Sequence, residues 1–165
     1  RSLGGLVHKQ AEAEALATRL EGEMVKEALP GAPRVLLLLG FGSLSEGELW
    51  FIKPGSLHDQ VLRAAGGRNA HEGPIEGAPS MPLERLLTLD PDIIIVLTPK
   101  EALSAVDKAA LIEPLTRMKT LRAAREGRLA VLDRANVLGE GPGLLTLIAP
   151  LRQLLTELSQ QAGPR

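Results

Sequence analysis

Apolar residues in this chain follow two patterns, short unbroken runs and stripes that repeat every three or four residues. Residues 80–98, SMPLERLLTLDPDIIIVLT, contain both patterns. The stripe consists of four leucines on one helical face: Leu83, Leu86, Leu87 and Leu89. Pro82 suits the first turn of this helix, where its missing N–H costs nothing. Asp90-Pro91-Asp92 ends this helix, because Pro91 donates no hydrogen bond and restricts the residue before it. The β-branched run 93–97 then predicts a strand buried on both faces, as in parallel sheets.

The rest of the chain repeats this alternation. Apolar runs at 34–39 and 128–133 predict two more buried strands, and 48–52 predicts a short strand or an extended edge. Apolar stripes predict five helices: 3–29, 57–65, 101–112, 115–126 and a last one that Gly141-Pro142-Gly143 opens. Pro114 is expected to separate the third helix from the fourth. The alternation predicts an α/β fold, a three-layer αβα arrangement with an open, mostly parallel sheet of Rossmann-like build after the long helix.

In open parallel sheets, ligands bind beyond the carboxyl ends of the strands. Those ends are predicted at 41–43, 98–100 and 134–136. The segment 69–80, NAHEGPIEGAPS, lies between predicted elements and is rich in Gly and Pro, so we expect a loop. Loops of this length in a compact domain are often functional.

Composition narrows the function classes. The chain has 165 residues, enough for one domain with a real core, and a net charge of −1, which gives no reason to expect nucleic acid as a partner. It contains no cysteine, so disulfides, thiolate metal sites and cysteine nucleophiles are excluded. No apolar run approaches the roughly 18 residues that a membrane span needs.

The start of the chain carries no signal peptide and no Met. We therefore expect Arg1 to be a processed or cloned start, with the natural protein extending further upstream.

No pattern of catalytic residues stands out. The chain has no G-x-S-x-G elbow, no Walker loop and no H-E-x-x-H, and GFGS at 40–43 lacks the third glycine of a dinucleotide fingerprint. For His71 we favour a surface loop residue over a ligand contact, and for Trp50 a packing residue over a stacking platform. Asp90 and Asp92 are expected to form the turn around Pro91. An enzyme is therefore not predicted.

The order of the segments resembles a known family. AAGGRNA, LERLLTLDPDIIIV and AAREGRLAVLD carry most of the likeness, which runs from residue 3 to about residue 158. The chain resembles the C-terminal half of the substrate-binding proteins of ABC importers for iron–siderophores, haem and cobalamin.

This resemblance implies binding without catalysis and no cofactor or metal of the protein's own. The ligand would be a flat metal chelate held between two lobes: an iron–siderophore, haem or a corrinoid. Helix 3–29 would be the backbone helix between the lobes and 34–158 the C-terminal lobe, with the N-terminal lobe absent from this sequence. The resemblance implies ligand contacts at six positions: Phe41, Ser43, Trp50, His71, Thr98 and Asn136.

The resemblance also implies partners and a location. Glu84 matches the acidic position that binds arginines of the membrane permease. The full-length protein would be periplasmic, or extracellular with a lipid anchor. Because helix 3–29 would leave apolar surface uncovered without the first lobe, we expect a homodimer through that helix.

A stand-alone α/β signalling or regulatory domain is the alternative, self-associating and of flavodoxin-like or receiver-like build. The predicted strand ends are poor in Asp, which argues against a receiver with an acidic metal pocket.

Overall fold

The computed structural model describes residues 30–40 and 47–161, together with Ala11, Ala15, Thr18 and Gly22. These four positions are helical and lie within the predicted helix 3–29. The other residues of that helix lie outside the described part, so its extent stays a prediction.

Six strands and five α-helices follow one another in the described chain. The strands are β1 (Arg34–Leu39), β2 (Glu48–Trp50), β3 (Arg68–Asn69), β4 (Ser80–Pro82), β5 (Ile93–Thr98) and β6 (Leu129–Asp133). The α-helices are α1 (Leu57–Ala64), α2 (Leu83–Leu89), α3 (Ala105–Thr116), α4 (Arg122–Arg125) and α5 (Ile148–Gln160). A 3₁₀ helix, Pro142–Leu147, leads directly into α5.

Four strands form one sheet in the order β3-β1-β5-β6, and every neighbouring pair is parallel. Alternate residues of β1 and β5 enter two separate apolar cores. Val35 and Ile95 face α1 and α5, whereas Leu36 and Ile94 face α2 and α4. All six residues of β5 are buried, which explains its unbroken apolar run. The predicted α/β fold class is confirmed.

β2 and β4 form a separate antiparallel ribbon, joined to the main sheet through β1. Phe51 bridges Leu38 in the antiparallel direction, and the amide of Ile52 donates to the carbonyl of Leu37 at 2.9 Å. β3 covers only the first residues of β1, so the segment 51–52 covers the later ones. The Asn69 side chain connects β3 to the segment 51–52 by donating to the carbonyl of Ile52 at 2.9 Å.

Three predicted boundaries need correction. The two ends of the loop predicted at 69–80 belong to β3 and β4, so the loop itself spans 70–79. Pro82 is not in the first helical turn; it keeps an extended backbone at the N-cap of α2 because it pairs with Glu48 in the ribbon.

The third correction concerns Pro114, which does not break the helix: α3 continues through it to Thr116, and the break lies at 117–121. Leu115 is completely buried and anchors this last turn. The carbonyl of Ala110 loses its donor but belongs to an exposed residue, so water can replace the missing bond.

The Asp90-Pro91-Asp92 turn is tied to α4. Asp90 caps the end of α2 in the left-handed region, at φ 39°, and its Oδ1 accepts a hydrogen bond from the amide of Arg122 at 2.9 Å. The Arg122 guanidinium forms an ion pair with Asp92. Asp92 Oδ2 accepts from the amide of Arg34 at 2.8 Å. The two aspartates thus form the turn, as expected, and also connect it to β1 and α4.

Candidate ligand-binding edge of the sheet

The carboxyl ends of the parallel strands converge at one edge, and the strand order reverses direction between β1 and β5. The chain passes from β1 to β3 on one side and later to β5 on the other. Such a switch point is where α/β sheets bind ligands. Gly40 closes the gap there, since its amide donates to the carbonyl of Leu97 at 2.7 Å. A Cβ at Gly40 would lie only 2.9 Å from that oxygen, so no larger residue fits without a shift.

Trp50 lies beside the carboxyl end of β1, on the side of that strand away from β5. Because Phe51 pairs with Leu38 in the antiparallel direction, the residues of β2 that precede it run past the carboxyl end of β1. Leu49 and Met81 turn into the core, and Trp50 lies on the other face of the ribbon, where it is 41% exposed. An aromatic surface is therefore available at this edge of the sheet.

Thr98 and Asn136 lie at the carboxyl ends of β5 and β6, as the sequence predicts. Thr98 is only 1% exposed, and its Oγ1 accepts from the amide of Lys100 at 3.4 Å. Its hydroxyl therefore shapes the loop and presents little surface to a ligand. Asn136 is exposed. Its backbone carbonyl accepts from the amide of Gly139 at 3.1 Å, and this bond does not use its side-chain amide.

Asp133, the last residue of β6, is a residue of this edge that the sequence analysis missed. It is 5% exposed; its Oδ1 forms an ion pair with Lys108 Nζ at 2.7 Å, and its Oδ2 accepts from the amide of Leu103 at 3.0 Å. Burial by itself raises the pKa of Asp133, but the hydrogen bonds from Lys108 and the backbone outweigh it, so the pKa is lowered. The available signal was an aspartate at the end of a buried apolar run.

His71 follows β3, the edge strand on the side of the sheet away from β6. Its ring stacks on Phe51 with centroids 5.5 Å apart, and its amide donates to Asn69 Oδ1 at 3.0 Å. Its Nδ1 is buried without a hydrogen-bond partner among the described residues. It borders a cavity of about 320 Å³ whose other lining residues are Pro54, Arg63, Arg68, Asn69, Glu72 and Gly73. His71 thus packs against the residue that follows Trp50, and none of its described contacts is with Thr98 or Asn136.

The two remaining predicted contacts, Phe41 and Ser43, lie outside the described residues. Glu84 is exposed in the first turn of α2, where the helix dipole favours a carboxylate. The amide of the preceding Leu83 donates to the carbonyl of Gly47, which precedes β2. Glu84 therefore lies near the same ribbon as Trp50.

Neither a metal centre nor a membrane span is found in the part of the chain that the structure describes. Within it, no three His, Asp or Glu side chains are arranged to hold a metal ion. Likewise, none of the helices described there has the length and apolarity to cross a membrane.

Comparison with known families identifies the class of protein. Residues 1–135 match the family model described as "Periplasmic binding protein". The chain therefore belongs to the periplasmic binding protein family, which agrees with the resemblance found in the sequence. No curated protein matches the chain significantly.

Solved structures give the same result. The periplasmic heme-binding protein BhuT, in complex with two hemes, is 25% identical with a TM-score of 0.66 over 95% of this chain and 60% of its own. A periplasmic heme-binding protein from Pseudomonas aeruginosa is 26% identical, with a TM-score of 0.61 over 99% of this chain and 59% of its own.

An ABC-type Fe3+-hydroxamate transport system protein from Saccharomonospora viridis shares the fold. It is 22% identical, with a TM-score of 0.65 over 96% of this chain and 53% of its own. This chain thus spans at most about 60% of the length of these three structures.

Proposed function

We propose that this chain is the C-terminal lobe of a substrate-binding protein of an ABC importer, and that its carboxyl edge forms one wall of a cleft for a metal chelate. The observation that carries the proposal is the family match over residues 1–135. The parallel sheet supports it, with a switch point between β1 and β5 and the exposed Trp50 beside the carboxyl end of β1. The ligand classes proposed are haem, iron–siderophores and corrinoids.

The edge has the composition that such a wall requires. A flat chelate needs an apolar or aromatic surface and a few polar groups that orient it. Trp50 supplies the aromatic surface, Asn136 an exposed amide, and Lys100 and Arg134 exposed cations at the ends of β5 and β6. None of these groups needs to act as a nucleophile or base, so we propose binding without catalysis.

The second wall of the cleft would come from the part of the relatives' length that this chain does not span. We therefore expect the 165-residue chain to bind haemin weakly or not at all. Trp50 is the only tryptophan, so quenching of its fluorescence on titration reports contact at this edge directly.

A protein that carries both lobes should bind haemin, a ferric hydroxamate or cyanocobalamin far more tightly than this chain does. Equal, tight binding by this chain alone would contradict the half-site argument. Failure of the two-lobe protein to bind any of the three chelates would refute the proposed function.

We also propose that Glu84 contacts arginines of the permease. Glu84→Ala removes one exposed carboxylate at a helix start, so the free energy of unfolding should change by no more than about 0.5 kcal/mol. Uptake of the chelate by the full-length protein with its permease should fall. Glu157→Ala, which removes an exposed helical glutamate from α5, is the matched control and should leave uptake unchanged. Equal uptake with both variants would exclude Glu84 from docking.

Two further parts of the proposal concern location and assembly. The full-length protein would act in the periplasm or outside the cell, which the family membership supports. In the extracellular case we propose a lipid anchor. A homodimer through helix 3–29 remains a proposal from the sequence, and light scattering at high protein concentration would test it.

A further inference from the structure

Two reciprocal hydrogen bonds join the loops that follow β5 and β6, each from a backbone amide on one side to a carboxylate on the other. Asp133, at the end of β6, accepts from the amide of Leu103 in the β5 loop at 3.0 Å. Glu101, in the β5 loop, accepts from the amide of Ala135 after β6 at 3.3 Å. Each loop thus supplies one carboxylate and one amide, so each is held by the other.

These two hydrogen bonds differ in strength. Asp133 is 95% buried and is also paired with Lys108, so its bond to Leu103 is shielded from water. Glu101 is exposed, and its bond to Ala135 is the longer one. Charged acceptors form stronger hydrogen bonds than neutral ones, and burial strengthens them further. Asp133 is therefore the anchor, and Glu101 completes the connection.

Backbone strain in the β5 loop points to the same connection. Ala102 lies between Glu101 and Leu103 and has φ +54°, in the left-handed region that disfavours a residue with a Cβ. Such conformations persist only where the surroundings hold them. The two residues that flank Ala102 both form hydrogen bonds with the β6 segment, and these bonds supply that restraint.

We propose that Glu101 and Asp133 are positioning residues that hold the two loops as a single preformed rim of the ligand-binding edge. The relevance of the rim to a ligand rests on the proposed function, whereas the coupling of the loops does not. A rim that is already ordered lowers the entropic cost of binding, because the loops need not be fixed when a ligand arrives. Neither carboxylate has to touch the ligand to have this effect.

Amide hydrogen exchange, measured by NMR on the 165-residue chain, tests the coupling. Glu101→Ala removes the acceptor for Ala135 only. If the loops form one unit, exchange should become about tenfold faster at Ala135 and also faster at Leu103, the size expected when one hydrogen bond is lost. Glu101→Gln keeps an acceptor oxygen and should restore slow exchange at both amides. Urea unfolding should show a fall of no more than about 1.4 kcal/mol for Glu101→Ala, the equivalent of that tenfold change, and no fall for Glu101→Gln.

Two outcomes would overturn the proposal. Faster exchange confined to Ala135, with Leu103 unchanged, would show that the loops move independently. A fall in the free energy of unfolding that is clearly larger than about 1.4 kcal/mol, with exchange accelerated equally at every amide of the sheet, would show that Glu101 acts on global stability and not on the position of the loops. Because no ligand is used, neither outcome bears on the proposed function, and a failure to bind chelates would not alter the exchange rates.

Discussion

Arg34→Met should lower the free energy of unfolding by about 3 kcal/mol, because three backbone carbonyls lose a charged donor at once. The Arg34 guanidinium donates to the carbonyl of Asp90 at 3.1 Å, of Leu89 at 2.9 Å and of Ala70 at 3.2 Å. Leu89 and Asp90 end α2, so the same cation satisfies the carbonyl end of a helix. Methionine preserves most of the side-chain volume but makes none of these bonds.

Two variants separate this effect from a loss of charge. Arg34→Lys keeps the charge but lacks the planar fork that reaches several acceptors, so we expect an intermediate loss. Arg85→Met removes an arginine from α2 that is exposed and makes no hydrogen bond or ion pair with the described residues, and should change stability little. Chemical denaturation measures all three variants. Equal losses for Arg34→Met and Arg85→Met would contradict the role given to Arg34.

The second large effect is expected for Asp133→Ala. This change leaves the amide of Leu103 without its acceptor and Lys108 without its ion pair, and should cost about 2 kcal/mol near neutral pH. Asp133→Asn can still accept from Leu103 and should lose less.

The loss should depend on pH in one direction. Because the pKa of Asp133 is lowered in the folded protein, its carboxylate stabilises the fold above the ordinary aspartate pKa. That contribution disappears as the pH falls through the lowered folded value. The difference in unfolding free energy between the wild type and Asp133→Ala should therefore be largest near neutral pH and shrink in acid. A difference that stays constant down to about pH 3 would contradict this assignment.

Much of the fold follows from local patterns. The runs at 34–39 and 93–97 became β1 and β5, because side chains buried on both faces of a sheet must be apolar along the whole strand. The Gly141-Pro142-Gly143 signal also placed the start of the 3₁₀ helix that leads into α5. Pro114 misled the prediction, because the burial of Leu115 outweighs one missing hydrogen bond in an exposed last turn.

The candidate site was predicted less completely. The position of the edge followed from strand order, and Thr98 and Asn136 do lie there. The resemblance grouped His71 with them, and His71 follows β3, which β1 separates from β5 in the sheet. Asp133 was not singled out, since its partners Leu103 and Lys108 are 25 or more residues away and no periodic pattern connects them.

The sequence by itself determined the alternation of strands and helices and the α/β class, because burial and turn chemistry act over a few neighbouring residues. The likeness to the periplasmic binding protein family came from the order of its segments. Only the tertiary structure decided which loops meet. Distant segments are joined in three places. The ribbon carries Trp50 past β1, Glu101 and Asp133 each accept a hydrogen bond from the other's segment, and Arg34 binds the end of α2. Such contacts depend on the order of strands in the sheet, which local preferences do not specify.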